Sequence, residues 1–339
     1  MIPGSLIAGW LHNKPGFKKL AVISMGGIAL CGAACALAKS PAVIYVLRGI
    51  VGFCVGIGFP LQGTMSLQLF NDRERPKYLG WATVSLAAGS VFCMIVSGLL
   101  ADHSAKYSFL FHLVVLVPLA LVLIYLKQPT AAEIAANNAE SPSQVPEHGK
   151  TPGYALFTAV MFALAFFAFY PVLLNMSSIC AYENIGGAVV AGILLSVYCV
   201  GNMCGGFLFN PLSQKAGKLV VPIGLILWII GAACIAFGHS VVLIILGALL
   251  SGTAVQTVWP GTVNTYSEYV PKDKQSMAVA VFVSGMNIGC FMTTYFIQGV
   301  MKMSGSDSPR LPVQYGFIIV AVVGVIWAVI EAKRANKKA

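Results

Sequence analysis

Arg48 is the one Lys, Arg, Asp or Glu that the sequence places inside an apolar run. A cation at membrane depth costs at least about 2.5 kcal/mol unless it is paired or hydrated. Counted from Pro41 it lies about two helical turns in, so partial snorkelling to the interface is open to it. Two roles fit. Arg48 could hold an anionic group or pass protons, or it could pack against backbone carbonyls at a helix bend. The other candidates, in or just beyond apolar runs, are neutral polar groups: Gln62, Gln68, Tyr170, Asn175, Asn202, Gln256, Trp259, Asn264, Asn287, Tyr295 and Gln298. Each can bond a ligand or bond a neighbouring helix at about 1 kcal/mol. His112 stands alone in an apolar stretch and is expected to bond a neighbour. The cluster Asp72, Arg73, Glu74 and Arg75 reads as a solvated loop.

Several chemistries have no residues to carry them. There is no Gly-Lys-Ser/Thr nucleotide loop, no paired carboxylates within an apolar run and no histidine cluster, so no enzyme activity and no cofactor is expected. Nine cysteines are present, and nearly all fall in apolar runs with no His or acid beside them. They read as small residues at helix contacts, not as a metal site or a disulfide framework.

Composition explains why these groups are so sparse. Charged residues make up 9% of the 339 residues and hydrophobic ones 58%, with a mean hydropathy of +0.83. A soluble protein carries roughly a quarter charged residues. Apolar runs of about twenty residues, enough to cross a bilayer, lie near 20–38, 42–62, 79–101, 107–126, 154–175, 187–209, 219–237, 240–262, 276–299 and 312–332, with a partial run at 1–11. Each must be a helix, because hydrocarbon offers no partner to a free backbone group. The chain is expected to be an all-α, multi-pass membrane protein. Its net charge of +10 sits in short clusters between runs, which is a topology signal and not a nucleic-acid face. If the turn near residue 14 is cytoplasmic, the opposite side holds only Lys39, Lys106, Lys302 and Arg310. The C-terminus then falls in the cytoplasm.

Residues 128–152 are polar and read as a linker between an N-terminal bundle, 1–127, and a C-terminal bundle, 153–339. A shift of about two hundred residues places Leu11 on Leu212, Asn13 on Gln214, Lys14 on Lys215, Gly16 on Gly217, Gly52 on Gly252 and Pro60 on Pro260. Such internal repeats mark transporter folds whose halves rock about a central site. The counterpart of the run that starts at 154 would begin roughly 45 residues before Met1. The repeat therefore reads as a chain lacking a first helix and part of a second at its amino terminus.

Two signatures carry a family resemblance over essentially the whole chain. The turn Gly9-Trp-Leu-His-Asn-Lys-Pro-Gly16-Phe-Lys-Lys19 resembles the motif Gly-x-Leu-Ala-Asp-Arg-x-Gly-Arg-Lys between the second and third helices of major facilitator superfamily transporters. Gly9, Leu11, Lys14, Gly16 and Lys18 fit it, while Asn13 replaces the acid and Phe17 an Arg. Arg48-Gly-Ile-Val-Gly52-Phe-Cys-Val-Gly56-Ile-Gly58 resembles the family's fourth helix, where an Arg precedes a glycine stripe. The resemblance implies two six-helix bundles around a cavity that opens alternately to each side. It assigns Gly9, Asn13, Lys14, Gly16 and Lys18 to a conformational latch, weakened in its charge pairing by Asn13. It places Arg48, Tyr170, Asn175, Gln256 and Asn287 on cavity-lining helices as substrate or coupling residues. The run 79–101 has no Pro beside its glycines, which argues against a drug/proton antiporter.

The expected function is gradient-driven secondary transport of a small solute, with a proton or ion as the coupling partner, by a monomer in a bacterial-type inner membrane. Efflux of organic compounds and uptake of a small organic anion or nutrient both remain open. So does a reading as a non-transporting membrane fragment or interaction protein.

Overall fold

A computed structural model of the chain describes residues 1–11, 16–126, 153–186 and 188–337. Among them every regular element is helical: α1 (Ile2–Leu11), α2 (Gly16–Ala34), α3 (Pro41–Leu69), α4 (Arg75–His103), α5 (Ala105–Leu110), α6 (Leu116–Tyr125), α7 (Gly153–Phe169), α8 (Pro171–Tyr182), α9 (Ala188–Ala216), α10 (Val220–Phe237), α11 (Val241–Tyr269), α12 (Gln275–Ser304) and α13 (Leu311–Lys337). Eight stretches of the described residues are long and apolar enough to cross a membrane. One of them, Val190–Phe237, contains most of α9 and all of α10, and another, Lys106–Tyr125, joins α5 to α6 through a 3₁₀ turn at Phe111–Val115. The expected run at 79–101 lies within α4 but is not among the eight. The linker expected at 128–152 lies outside the described residues.

The helix bounds repeat. α3 and α11 are both 29 residues long, and both ends are displaced by two hundred positions. α4 opens at Arg75 and α12 at Gln275. Gly16 opens α2 at φ +78°, and Gly217, just past α9, has φ +52°. Both glycines take the left-handed backbone that a tight helix–helix turn needs and that side chains resist.

The packing repeats as well. A Cβ at Gly4 on α1 would overlap the Phe53 carbonyl on α3. A Cβ at Gly205 on α9 would sit 2.6 Å from the Thr253 carbonyl on α11. Lipid tails are as apolar as leucine, so helices gain most from close backbone approach, which glycine permits. Along the α9–α11 seam, Gly201 faces Leu249 and Gly252 faces the Tyr198 carbonyl, while Thr253 Oγ1 donates to the Gly201 carbonyl at 3.1 Å.

Two compact units result, considering the described residues of each: Met1–Asp72, Ser90–Leu156 and Tyr266–Ser284 in the first, and Arg73–Gly89, Phe157–Thr265 and Gly285–Ala339 in the second. The first has a core of Ala8, Phe17, Leu20, Ala21, Ile57 and Leu61. In the second, Phe162, Phe166 and Phe169 on α7 meet Trp228 on α10 edge-on at 5.5–6.2 Å, and Phe162 also meets Trp327 on α13. Edge-to-face geometry adds about 0.5–1.5 kcal/mol per pair beyond burial.

The glycine seam gives a direct test. Gly252→Ala drives a methyl into the Tyr198 carbonyl and is expected to cost about 1–3 kcal/mol through overpacking. Gly192→Ala on α9, which faces open space, leaves stability unchanged or slightly higher. Thermal unfolding of the two variants in detergent compares them.

Candidate functional site

The second unit is organised around a proline break. Pro171 follows Tyr170 at the α7–α8 junction and has no N–H to give to the Phe167 carbonyl. Thr293 of α12, fully buried, donates its hydroxyl to that orphan at 3.1 Å. Gly285 and Gly289, two turns and one turn earlier on α12, bring it backbone-close to Ala159 and Ala163 of α7. The carbonyl left free at the α7–α8 junction is thereby hydrogen-bonded.

Around this junction a polar and aromatic group assembles. Tyr198 of α9 lies with its ring 6.1 Å from that of Phe169 and within electrostatic reach of Tyr170, Cys199 and Cys290. Asn202 follows one turn later on α9, and its Oδ1 is buried without a partner among the described residues. Gly252 of α11 abuts the Asn202 backbone N–H, and a Cβ at Gly205 would lie 3.0 Å from the Cβ of half-buried Gln256. Gln256 therefore stands one turn beyond Gly252 on the α9-facing side of α11. Asn287 is half-buried on α12, one turn before Cys290. No sequence pattern singled out Tyr198; a tyrosine four residues before Asn202 in an apolar run was the available signal.

Asn175 is used otherwise. Its amide donates to the Pro309 carbonyl at 3.1 Å, tying α8 to the loop before α13. Next to it lies a buried ion pair that sequence reasoning missed. Arg310, 3% exposed, donates from Nε and Nη2 to both carboxylate oxygens of Glu183. Its Nη1 donates to the carbonyls of Ile235 at 2.7 Å and Gly238 at 2.8 Å. The guanidinium thus neutralises Glu183 past the end of α8 and caps the C-terminus of α10, where the helix dipole favours a cation. His239 approaches Glu183 at 3.6 Å from the exposed side. From the sequence Arg310 counted only as a loop charge.

Two expectations are corrected. Arg75 is not solvated: it is 3% exposed and donates to Asn264 Oδ1 at 3.4 Å within the second unit. A nonlocal partner buries one member of a loop-like charge run. Arg48 is also not the sole charge in a helical span. Glu331 on α13 is 4% exposed, accepts from Trp327 Nε1 at 3.3 Å and pairs with Arg334 at 3.5 Å.

Arg48 sits in the first unit. It is exposed, with Nη1 3.4 Å from His112 Nε2 and its guanidinium 5.2 Å from the centre of the Phe109 ring. Of the latch residues, Asn13 and Lys14 lie outside the described residues. Gly9 lets α1 approach the start of α12, where a Cβ would fall 2.6 Å from that of Ala280. Nearby Gln68 Nε2 meets Ser276 Oγ at 3.4 Å. Lys18 donates to the Leu123 carbonyl at 2.7 Å, capping the last turn of α6.

The family model described as Major Facilitator Superfamily matches residues 1–218 and again 155–336. The chain belongs to the major facilitator superfamily. The doubled match restates the internal repeat. Solved members of this superfamily share the fold at low identity. The xylose:proton symporter XylE aligns with a TM-score of 0.79 at 15% identity, over 98% of this chain and 83% of that one. The human organic anion transporter MFSD10 aligns with 0.76 at 14%, over 96% and 80%. The E. coli fucose:proton symporter FucP aligns with 0.72 at 13%, over 97% and 87%. A gallate transporter of Pseudomonas putida is 29% identical over 143 residues, which span 42% of this chain and about a third, 32%, of that protein.

The buried pair makes a prediction. Arg310→Ala or Glu183→Ala strands a charge and is expected to cost about 3–5 kcal/mol. The exchange Glu183→Arg with Arg310→Glu does not restore stability, because a carboxylate at 310 would face the carbonyls of Ile235 and Gly238. Thermal unfolding of the single and double variants tests this.

Proposed function

We propose that this superfamily member is a secondary active transporter that takes up a small aromatic carboxylate by alternating access. Two bundles, 1–127 and 153–339, joined by the linker 128–152, rock about a central site, driven by a proton gradient. It works as a monomer in the cell membrane with its C-terminus in the cytoplasm, as the basic loops favour.

The observation that carries the solute class is the neutral hydrogen-bonding group of the second unit. Tyr170, Tyr198, Gln256 and Asn287 offer hydroxyl and amide groups, and the buried Asn202 Oδ1 lacks a donor. A hydroxylated benzoate supplies both halves of the match. Its phenol donates to Asn202, its carboxylate accepts from the tyrosine and Gln256 groups, and its ring stacks among the aromatic side chains. The gallate transporter that resembles part of this chain acts on a molecule of this kind. Asn175 is left out of the solute set because its amide is spent on Pro309.

The test is flux. Purified protein in liposomes with an imposed inward proton gradient is expected to accumulate radiolabelled gallate saturably, and a protonophore is expected to abolish the accumulation. Gallate entry no faster than in protein-free liposomes overturns the reading. Within an active preparation, Asn202→Ala, Tyr198→Phe and Gln256→Ala each raise KM about five-fold, the scale of one lost hydrogen bond of ~1 kcal/mol.

A further inference from the structure

The hydroxyl of Thr293 has one proton and two acceptors in reach. Oγ1 lies 3.0 Å from the Gly289 carbonyl of its own helix and 3.1 Å from the Phe167 carbonyl of α7. A threonine inside a helix satisfies its hydroxyl on the carbonyl four residues back, so Thr293 has no need of α7. The need is on the other side. The Gly289 carbonyl already accepts the Thr293 N–H in the helix ladder, whereas Pro171 returns no N–H to Phe167. A carbonyl left bare among apolar side chains is costly, so the proton goes to Phe167.

This bond joins two stretches that carry solute candidates. Tyr170 stands three residues after Phe167, at the α7–α8 junction. Asn287 and Cys290 precede Thr293 on α12 by six and three residues, and Tyr170 is within electrostatic reach of Cys290. The other contacts at the junction set different quantities. The Tyr170 N–H donates to the Phe166 carbonyl at 2.8 Å, which is local to the chain. The Ala168 carbonyl abuts Gly316 of α13, where a Cβ would overlap it. Gly285 and Gly289 let α12 approach the carbonyls of Ala159 and Ala163. Such glycine contacts fix how near two helices lie, whereas a hydrogen bond also fixes their register, because its geometry is directional. The Thr293 bond therefore sets where Tyr170 stands along α12.

We propose that Thr293 is a positioning residue for solute binding: its hydroxyl, through the Phe167 carbonyl, holds Tyr170 where the phenol donates to a solute carboxylate. The consequence for binding rests on the solute reading above, and the tie itself rests on the α7–α12 geometry. Thr293 is fully buried, so it acts through Tyr170 and does not meet the solute.

Two readouts separate the tie from the solute. In the first, a fluorotyrosine replaces Tyr170 in the full chain, and its fluorine NMR spectrum is recorded in detergent without solute. Thr293→Val keeps the shape and loses the proton, and it is expected to move or split the resonance. Thr293→Ser keeps the proton and retains the native spectrum. Thr262→Val, which removes a buried hydroxyl bonded within its own helix at 2.8 Å, leaves the resonance unchanged. If Thr293→Val does not fold, Thr293→Cys, with a weaker donor, takes its place with the same expected change. The second readout is gallate uptake into liposomes. Thr293→Val is expected to raise KM about five-fold, the scale of one lost hydrogen bond, with kcat unchanged and with the native KM kept by Thr293→Ser. Added to Tyr170→Phe, it gives no further rise, because the coupling runs through that phenol. An unmoved resonance in Thr293→Val overturns the proposal whatever the protein transports. So does a moved resonance with an unchanged KM, or a KM effect that simply adds to that of Tyr170→Phe. Absence of gallate uptake by the native protein overturns the solute reading alone, and the resonance still decides whether Thr293 positions Tyr170.

Discussion

Hydrocarbon gives no hydrogen bonds, and this structure is arranged around that fact. Every backbone carbonyl that a helix cannot serve must be met by a donor from elsewhere in the protein. The donors come from side chains of neighbouring elements. Thr293 serves the carbonyl orphaned by Pro171. Arg310 serves the last carbonyls of α10. Lys18 serves the end of α6, Asn175 the Pro309 carbonyl and Ser24 the Cys54 carbonyl at 2.8 Å. Each of these bonds closes a gap in one element and fixes its distance from the next. Polar side chains in the spans are thus accounted for mainly as repairs, and those not needed for repair stand out as candidates for ligands.

Glycine spacing sets how those repairs can work. A side-chain hydroxyl reaches a carbonyl on the next helix only if the backbones nearly touch. Thr253 lies between Gly252 on its own helix and Gly201 and Gly205 opposite, and it donates to the Gly201 carbonyl. Thr293 follows Gly285 and Gly289 at four-residue intervals along the face that meets α7. Close packing and hydrogen bonding are therefore one device along these seams.

The same physics explains what could be read from the chain alone. Span positions and fold class were legible because the bilayer imposes local rules, a run of about twenty apolar residues and a bias in loop charge. The repeat was legible because turn glycines and helix prolines keep their places at a shift of two hundred. Arg310 and Glu183 were not, because they lie 127 residues apart and each reads locally as a loop charge. Arg75 misled for the same reason: its burial is decided by Asn264, far along the chain. Tyr198 carried no local mark, since a tyrosine in an apolar run is more often an interface anchor. Gln256 and Tyr170 became candidates only because the family resemblance assigns their helices to the cavity.

The repeat also separates frame from chemistry. Two stretches that fold to the same helix bounds share backbone demands, so positions that agree between them, such as Gly52 with Gly252 and Pro60 with Pro260, report on the frame. Positions that differ report on what each half adds. At Gly56 and Gln256 the first half keeps a glycine against Met1 while the second places an amide beside Gly205. At Arg48 and Ala248 the assignment reverses, and the cation falls in the first half. The second half has exchanged close packing for a neutral polar lining around Tyr170, and the first has exchanged an apolar helix end for a guanidinium held by His112. A frame that needs no amide at position 56 leaves the one at 256 to the solute proposed for the second half.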